Sequence, residues 1–359
     1  MDFTFSEEQR MSANVVREML AERCAGADLR RLIAEGAARD EARWAALVGM
    51  GLPGLMAPEA AGGLDLREDD LVLIAEACGY AALPEPLVEH AGVALPLLAA
   101  IDHPAAIAWA ARGAAGEITV AISHPANPFV ADADTAGILL VVQGDGLFLV
   151  EPAEANLTRQ ISVDPFRRLF VVAFEPKDAV QIAAGPKLAA LADLVLDRGA
   201  LFAAAQGLGI AQRAVDMAAA YAKERIQFGK PIGANQAVKH MLATCQTKIE
   251  FARPVVYAAA AQIGQQDVFS RARISHAKLA ALAAADLAAR TAIQVHGAMG
   301  YSWEIDAHFY LKRSLALAGA WGDEAFHRAR VTERTLSQSL QPDQTFAAAA
   351  APLSNQAAA

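Results

Sequence analysis

The sequence predicts a mainly α-helical protein with a small central β domain, and three observations say so. Hydrophobic residues make up 55% of the chain and charged ones 20%, an Ala-rich, apolar composition that excludes disorder and requires large buried helical faces. Apolar residues recur at helical spacing near the N-terminus and again through the whole C-terminal half. Between these stretches the texture changes to short β-branched runs punctuated by turn residues. A chain of 359 residues has room for two or three domains.

Taken in order, Ser6 followed by Glu7 and Glu8 signals a helix start, and Val15, Val16, Met19 and Leu20 then fall on one face. Gly and Pro concentrate between Gly51 and Leu64, where the backbone must turn, and Asp69 to Cys78 resumes as an apolar helix ending near Gly79. From about Glu117 to Glu175 the runs ITVAI, GILLVV, GLFLV and LFVVAF read as strands, two of them joined in a hairpin by Gly144-Asp145-Gly146. The helical period returns at Pro186 and holds to Arg334. The expected organisation is an N-terminal helical domain (1–116), a short β domain (117–185), a C-terminal helical bundle (186–336) and a mobile Ala- and Gln-rich tail (337–359).

Several functions are disfavoured by chemistry alone. Lys and Arg number 31 against 40 Asp and Glu, and the net charge of -9 opposes the attraction on which nucleic-acid binding rests. The three cysteines, Cys24, Cys78 and Cys245, lie far apart and read as buried reduced thiols rather than a disulfide framework or zinc site. The N-terminus has no apolar signal core and no run is long enough to span a bilayer, so a soluble cytoplasmic protein without membrane contact is expected. Gly207-Leu208-Gly209 does not continue into a dinucleotide fingerprint, because Gln212 stands where the third Gly is needed and the context is helical. None of the eight histidines pairs at metal-ligand spacing, so no metal is expected.

Two segments carry chemistry. Tyr221 to Ile232 places the Arg225 guanidinium at a helix end, then the Phe228 ring and the turn residues Gly229 and Pro231, with Gln236 on the next helix. Such a corner can hold a phosphate by a charge-assisted fork. Gln294 to Glu304 joins an amide side chain to a Gly-rich bend at Gly297 and Gly300, where backbone can approach a ligand. Each residue singly also reads as an ordinary helix cap or loop.

Together, on a helix–strand–helix plan, these motifs resemble the acyl-CoA dehydrogenase family, as do the opening MDFTFSEEQR and the segment from Trp44 to Gly63, so that the likeness runs from residue 1 to about 334. It implies an acyl-CoA dehydrogenase-like fold with a C-terminal four-helix bundle, FAD as cofactor, an acyl-CoA substrate desaturated between its 2 and 3 carbons, an electron acceptor protein and tetrameric assembly. By the same likeness Arg225 and Gln294 would contact the FAD pyrophosphate, Phe228 and Gln236 the adenosine end, and Gly297 with Ala298 the adjacent backbone, for a flavin lodged mainly in a neighbouring subunit.

Chemistry of this class needs a carboxylate base. The family's usual base position falls on Trp321, and the alternative one on Gly199, neither of which can take a proton. Asp323 and Glu324 stand beside the first and Asp197 near the second as candidates for a displaced base; Asp323 reads equally as the N-cap of a last helix. The run that would cradle the isoalloxazine is here Ile122 to Asn127, with His124 a loop residue or a ring contact. Retained adenosine-side residues and a lost ring side resemble the base-lacking subunit of heterotetrameric steroid and bile-acid side-chain acyl-CoA dehydrogenases, which implies a paralogous catalytic partner. The alternatives are a self-sufficient dehydrogenase, a flavin-free scaffold of the same fold, and the related flavin monooxygenase branch.

Overall fold

The computed structural model describes residues 4–337 apart from Ala38 and Gln266. Beyond Ser337, the expected tail lies outside the described residues. The chain opens with α1 (Glu7–Arg23), α2 (Gly26–Glu35), α3 (Glu41–Gly49) and α4 (Glu68–Tyr80). Ser6 starts α1 through a capping box: its hydroxyl accepts the Gln9 N–H at 3.1 Å, and the Gln9 side chain accepts the Ser6 N–H at 2.9 Å. Two short helices, α5 (Leu87–Glu89) and α6 (Leu95–Ala99), are joined by a π-helical turn, His90–Ala94, and α7 (Pro104–Ala114) completes this part. The π turn buries His90, whose ring accepts the Val120 N–H at 2.9 Å and donates to the Gly113 carbonyl at 3.2 Å. That imidazole ties the helices to the first strand and is held neutral, its pKa pulled to about 4 by burial.

The middle of the chain forms two sheets. β1 (Val120–Ser123), β3 (Ile138–Gln143), β4 (Gly146–Val150) and β7 (Val180–Ala184) pair in the order β1-β3-β4-β7, with β1 parallel to β3. β2 (Val130–Ala131), β5 (Asn156–Gln160) and β6 (Leu169–Ala173) pair in the order β2-β6-β5. The β3–β4 hairpin forms as expected, its turn reduced to Gly144 and Asp145, with Gly146 the first strand residue. β2, β5 and β7 have no counterpart among the four expected runs, since they are short or largely exposed and carry no apolar run. Val130, Leu139, Val141, Val150 and Phe170 form a small core between the sheets.

The C-terminal half is α8 (Pro186–Glu224), the hairpin strands β8 (Ile226–Gln227) and β9 (Lys230–Pro231), α9 (Gln236–Ala260), α10 (Val268–His296), α11 (Ala307–Gly319) and α12 (Glu324–Ser337). The expected four-helix bundle is therefore three long helices with two shorter ones packed on them. What divides α11 from α12 is backbone: Trp321 and Gly322 have φ of 57° and 88°, which no helix continues.

α4 ends at Tyr80, beside Gly79 as the sequence predicts, and the glycine has a second use there. A Cβ there would sit 2.1 Å from the Gln206 carbonyl oxygen, and one on Gly209 would sit 1.9 Å from that of Glu76. These glycines let α4 and α8 cross backbone to backbone, which gives Gly209 its packing role in place of a phosphate-binding one. No helix among the described residues is long and apolar enough to cross a membrane, and none of them forms a His/Cys/Asp/Glu metal cluster. All three cysteines are free and buried.

Candidate functional site

The two sequence motifs meet at one end of the helical bundle. Arg225 caps α8, its amide donating to the Tyr221 carbonyl at 2.8 Å, and its own carbonyl accepts the Ile232 N–H at 2.8 Å across the hairpin. At the hairpin tip Phe228 has φ 52° and Gly229 φ 80°, the left-handed pair that a two-residue turn requires. Phe228 is 99% exposed, so a bulky ring is held at a strained tip with nothing among the described residues to cover it. Gln236 begins α9 next to this corner. On the other side α10 ends with Gln294 exposed, and Gly297 stops it at φ 60°. Tyr221, one turn before Arg225, stacks on His296, with ring centroids 4.3 Å apart and planes at 28°. The guanidinium of Arg225 and the amide of Gln294 have no protein partner among the described residues, and both are exposed. A cation, an amide and open backbone beside an uncovered ring fit the pyrophosphate and adenosine side of FAD.

The ring side is different. The two base positions meet in space, because the Trp321 indole lies on Gly199: a Cβ added to Gly199 would fall 2.1 Å from the indole Cδ2. Trp321 is 1% exposed, and hydrogen bonds hold its own peptide groups and those of its neighbours. Its amide donates to Asn127 Oδ1 at 3.3 Å and that of Gly322 to the Ala126 carbonyl at 3.1 Å. The Trp321 carbonyl accepts from His327 Nε2 at 2.9 Å, and the Lys278 ammonium donates to the carbonyls of both Ala320 and Gly322. The indole N–H points to Glu89 Oε1 at 3.3 Å, a carboxylate also held by Arg167 at 2.9 Å. So the turn expected to cradle an isoalloxazine is instead bonded to the chain's own Trp321 loop, and the ring side does not fit a flavin. His124 is a loop residue of that turn, its Nδ1 accepting the Ala126 N–H at 3.1 Å.

The displaced-base candidates have other employment. Asp323 Oδ1 accepts the Phe326 N–H at 2.9 Å and is the N-cap of α12. Glu324 is exposed and pairs with Arg328 one turn on, at 2.6 Å. Both border a groove of about 350 Å3 with Lys278, His327 and Leu315, a groove that neither Trp321 nor Gly199 lines. Asp197 is fully buried against Arg330 at 2.6 Å, with Arg271 at 3.9 Å.

Four residues that the sequence did not single out shape this region. Glu89 and Arg167 receive and brace the indole. Lys278 is almost fully buried, and loss of hydration pulls its pKa to about 7, opposed in part by the Asp323 charge. Asp132, with φ 53°, turns its carboxyl into a narrow crevice beside Glu89 and Thr119; burial, reinforced by the Glu89 charge, raises its pKa to about 7. No local pattern marks them, because their partners lie far off in sequence.

Comparison with known proteins agrees with this architecture. Residues 6–102 match the acyl-CoA dehydrogenase N-terminal domain and residues 189–336 the acyl-CoA dehydrogenase C-terminal domain. Among curated proteins, the acyl-CoA dehydrogenase IpdE2 of Mycobacterium tuberculosis (strain ATCC 25618 / H37Rv) is 30% identical over 311 residues, which cover 86% of this chain and 91% of that one. FadE34 of the same organism is 31% identical over 301 residues, 81% of this chain but 42% of its own length. Among solved structures, a chain of the ChsE4–ChsE5 complex from Mycobacterium tuberculosis superposes with TM-score 0.82 at 21% identity, covering 94% of this chain and 100% of that one. Butyryl-CoA dehydrogenase from Megasphaera elsdenii gives 0.82 at 20%, over 94% and 100%. A variant of the steroid ACAD Tcur3481–Tcur3483 gives 0.80 at 24%, over 92% and 98%. With matching domains at both ends and a relative alike over most of its length, the chain belongs to the acyl-CoA dehydrogenase family, whose members are FAD-dependent oxidoreductases.

Proposed function

We propose that this chain is the completing subunit of a heteromeric, cytoplasmic acyl-CoA dehydrogenase. It holds the adenosine and pyrophosphate side of an FAD whose ring is seated in a paralogous catalytic partner. The substrate of the assembly is an acyl-CoA with a bulky, steroid-type acyl group, and its electrons pass to an acceptor protein. The observation that carries the reading is that the Trp321 loop closes this chain's own ring side while Arg225 and Gln294 stay exposed. Gly199, under the Trp321 indole, and Arg225 lie at opposite reaches of the same helix, about 39 Å apart at 1.5 Å rise per residue. One dinucleotide cannot touch both, so the FAD gripped at Arg225 is not one whose ring lies at this chain's own Trp321.

When bound, FAD supplies the acceptor for the hydride that leaves the substrate. This chain's part is to bind and orient it: Arg225 pairs with the pyrophosphate, Gln294 and the backbone at Gly297 and Ala298 hydrogen-bond beside it, and Phe228 and Gln236 cover the adenosine end. Trp321 has a donor N–H only and takes no proton, so base chemistry belongs to the partner. The relatives support the heteromeric and steroid parts, since one structural neighbour is named a complex of two chains and another a steroid ACAD.

The test is co-expression with any dehydrogenase paralogue encoded beside it, followed by native mass and flavin content. A mixed tetramer with one FAD per pair of chains, and loss of FAD on Arg225→Ala, is the expected result. A homotetramer carrying one FAD per chain overturns the reading.

A further inference from the structure

We infer that Tyr221 and His296 form a clasp that sets the spacing of Arg225 and Gln294, and are positioning residues for the grip on the FAD pyrophosphate. The inference rests on the function proposed above and deepens it.

Arg225 and Gln294 sit on the ends of different helices, α8 and α10, and both are exposed. Two groups that grip one pyrophosphate must keep their separation to within about 0.5 Å. Their own side chains cannot do this, having no protein partner among the described residues. The Tyr221–His296 stack joins those two helix ends. Tyr221 both carries that stack and accepts the Arg225 amide at 2.8 Å, so the ring contact and the helix cap share one residue. His296 directly precedes the bend at Gly297. Its Nδ1–H donates to the Ala292 carbonyl at 2.7 Å, which fixes both the tautomer and the plane of the ring against which Tyr221 lies.

The surrounding backbone closes on the clasp from both sides. A Cβ on Gly300 would fall 2.5 Å from the Ile293 carbonyl oxygen, so the bend folds back tightly on α10. A Cβ on Gly233 would fall 2.8 Å from that of Ala222, which seats the start of α9 against the end of α8. Movement of either helix end is thereby passed to the stack rather than absorbed by a loose loop. His296 is 6% exposed, and it acts through its neighbours Gln294 and Gly297.

The experiment measures FAD affinity of the purified mixed complex, stripped of flavin and titrated with FAD by fluorescence quenching. Variants are Arg225→Ala, Tyr221→Ala, Tyr221→Phe, and Tyr221→Ala combined with Arg225→Ala. Native mass and helical circular dichroism confirm assembly of each. Arg225→Ala is expected to weaken FAD at least about tenfold. Tyr221→Ala, which removes an aromatic pair, is expected to weaken it about three- to tenfold, and Tyr221→Phe to restore it. In the Arg225→Ala background Tyr221→Ala is expected to add nothing, because the group it positions is gone. The clasp is overturned if Tyr221→Ala leaves FAD affinity intact, or weakens it by the same factor with and without Arg225. If Tyr221→Ala complexes fail to assemble, His296→Gln, which breaks the stack and keeps a polar side chain, replaces it with the same expected pattern. An unchanged affinity in Arg225→Ala strikes the proposed function itself, whereas loss there with none at Tyr221 strikes the clasp alone.

Discussion

Gly199→Ala is the sharpest probe of how the two empty base positions fit together. In an ordinary helix interior this change stabilises by about 1 kcal/mol, since Ala is the better helix former. Here the new methyl would lie 2.1, 2.5 and 2.6 Å from three atoms of the Trp321 indole. That ring is rigid, buried and held by hydrogen bonds on both of its flanking peptides, so it cannot give way. Overpacking of this kind costs about 1–3 kcal/mol, and three contacts this short put it at the upper end, for a net loss of about 2 kcal/mol. Trp321→Gly alone loses the burial of the indole, about 3–5 kcal/mol, and recovers about 1–3 kcal/mol of strain because Gly accepts φ 57° freely. In that background the clash is gone and Gly199→Ala should stabilise by up to about 1 kcal/mol. The effect of one methyl thus changes sign with the residue at 321. The assay is urea unfolding followed by circular dichroism for the four proteins of the cycle, with the midpoint read at constant slope. Additive effects, agreeing within about 0.5 kcal/mol in the two backgrounds, would show that the indole does not rest on Gly199 and refute the reasoning.

Two further outcomes follow from the same geometry. Asp323→Asn and Glu324→Gln should leave the turnover of the mixed complex unchanged, because Asn caps a helix as well as Asp does and Glu324 pairs only with exposed Arg328; a collapse of the rate in either variant would make that carboxylate a base. Asp132 should give stability a pH dependence of definite sign. Its folded pKa is raised from 3.8 to about 7, so between those values the folded state binds the proton more tightly than the unfolded state. The contribution is complete below about pH 4 and is lost as pH rises toward 7, at no more than about 1.4 kcal/mol per unit. Between about pH 4 and 6.5 His90, His308 and His327, each lowered to about 4 chiefly by burial, gain stability as pH rises, and Asp132 opposes them. Urea midpoints should therefore rise more steeply with pH in Asp132→Asn than in the native protein; an unchanged slope in the variant would place the titration elsewhere.

The order of helices, strands and helices is legible from the residues alone, since hydrophobic period is a local property written into ten or twenty neighbouring residues. Equally legible are the helix end at Arg225, a turn at Gly229 and the Asp323 cap, each decided by one or two residues and their backbone preferences; that Phe228 rather than Pro231 shares the turn was not. β2, β5 and β7 were not legible, because short or exposed strands owe their existence to the neighbours they pair with. The end of α4 beside Gly79 was legible; that the same glycine is also a crossing point with α8 was not, since the close approach comes from a helix far off in the chain. That Trp321 and Gly199 offer no carboxylate was visible at once. Only the tertiary structure decided that the one residue fills the space left by the other, with Lys278, His327, Asn127 and Ala126 holding it there, because these contacts join segments far apart in the chain and their energy comes from desolvated packing that no local pattern records.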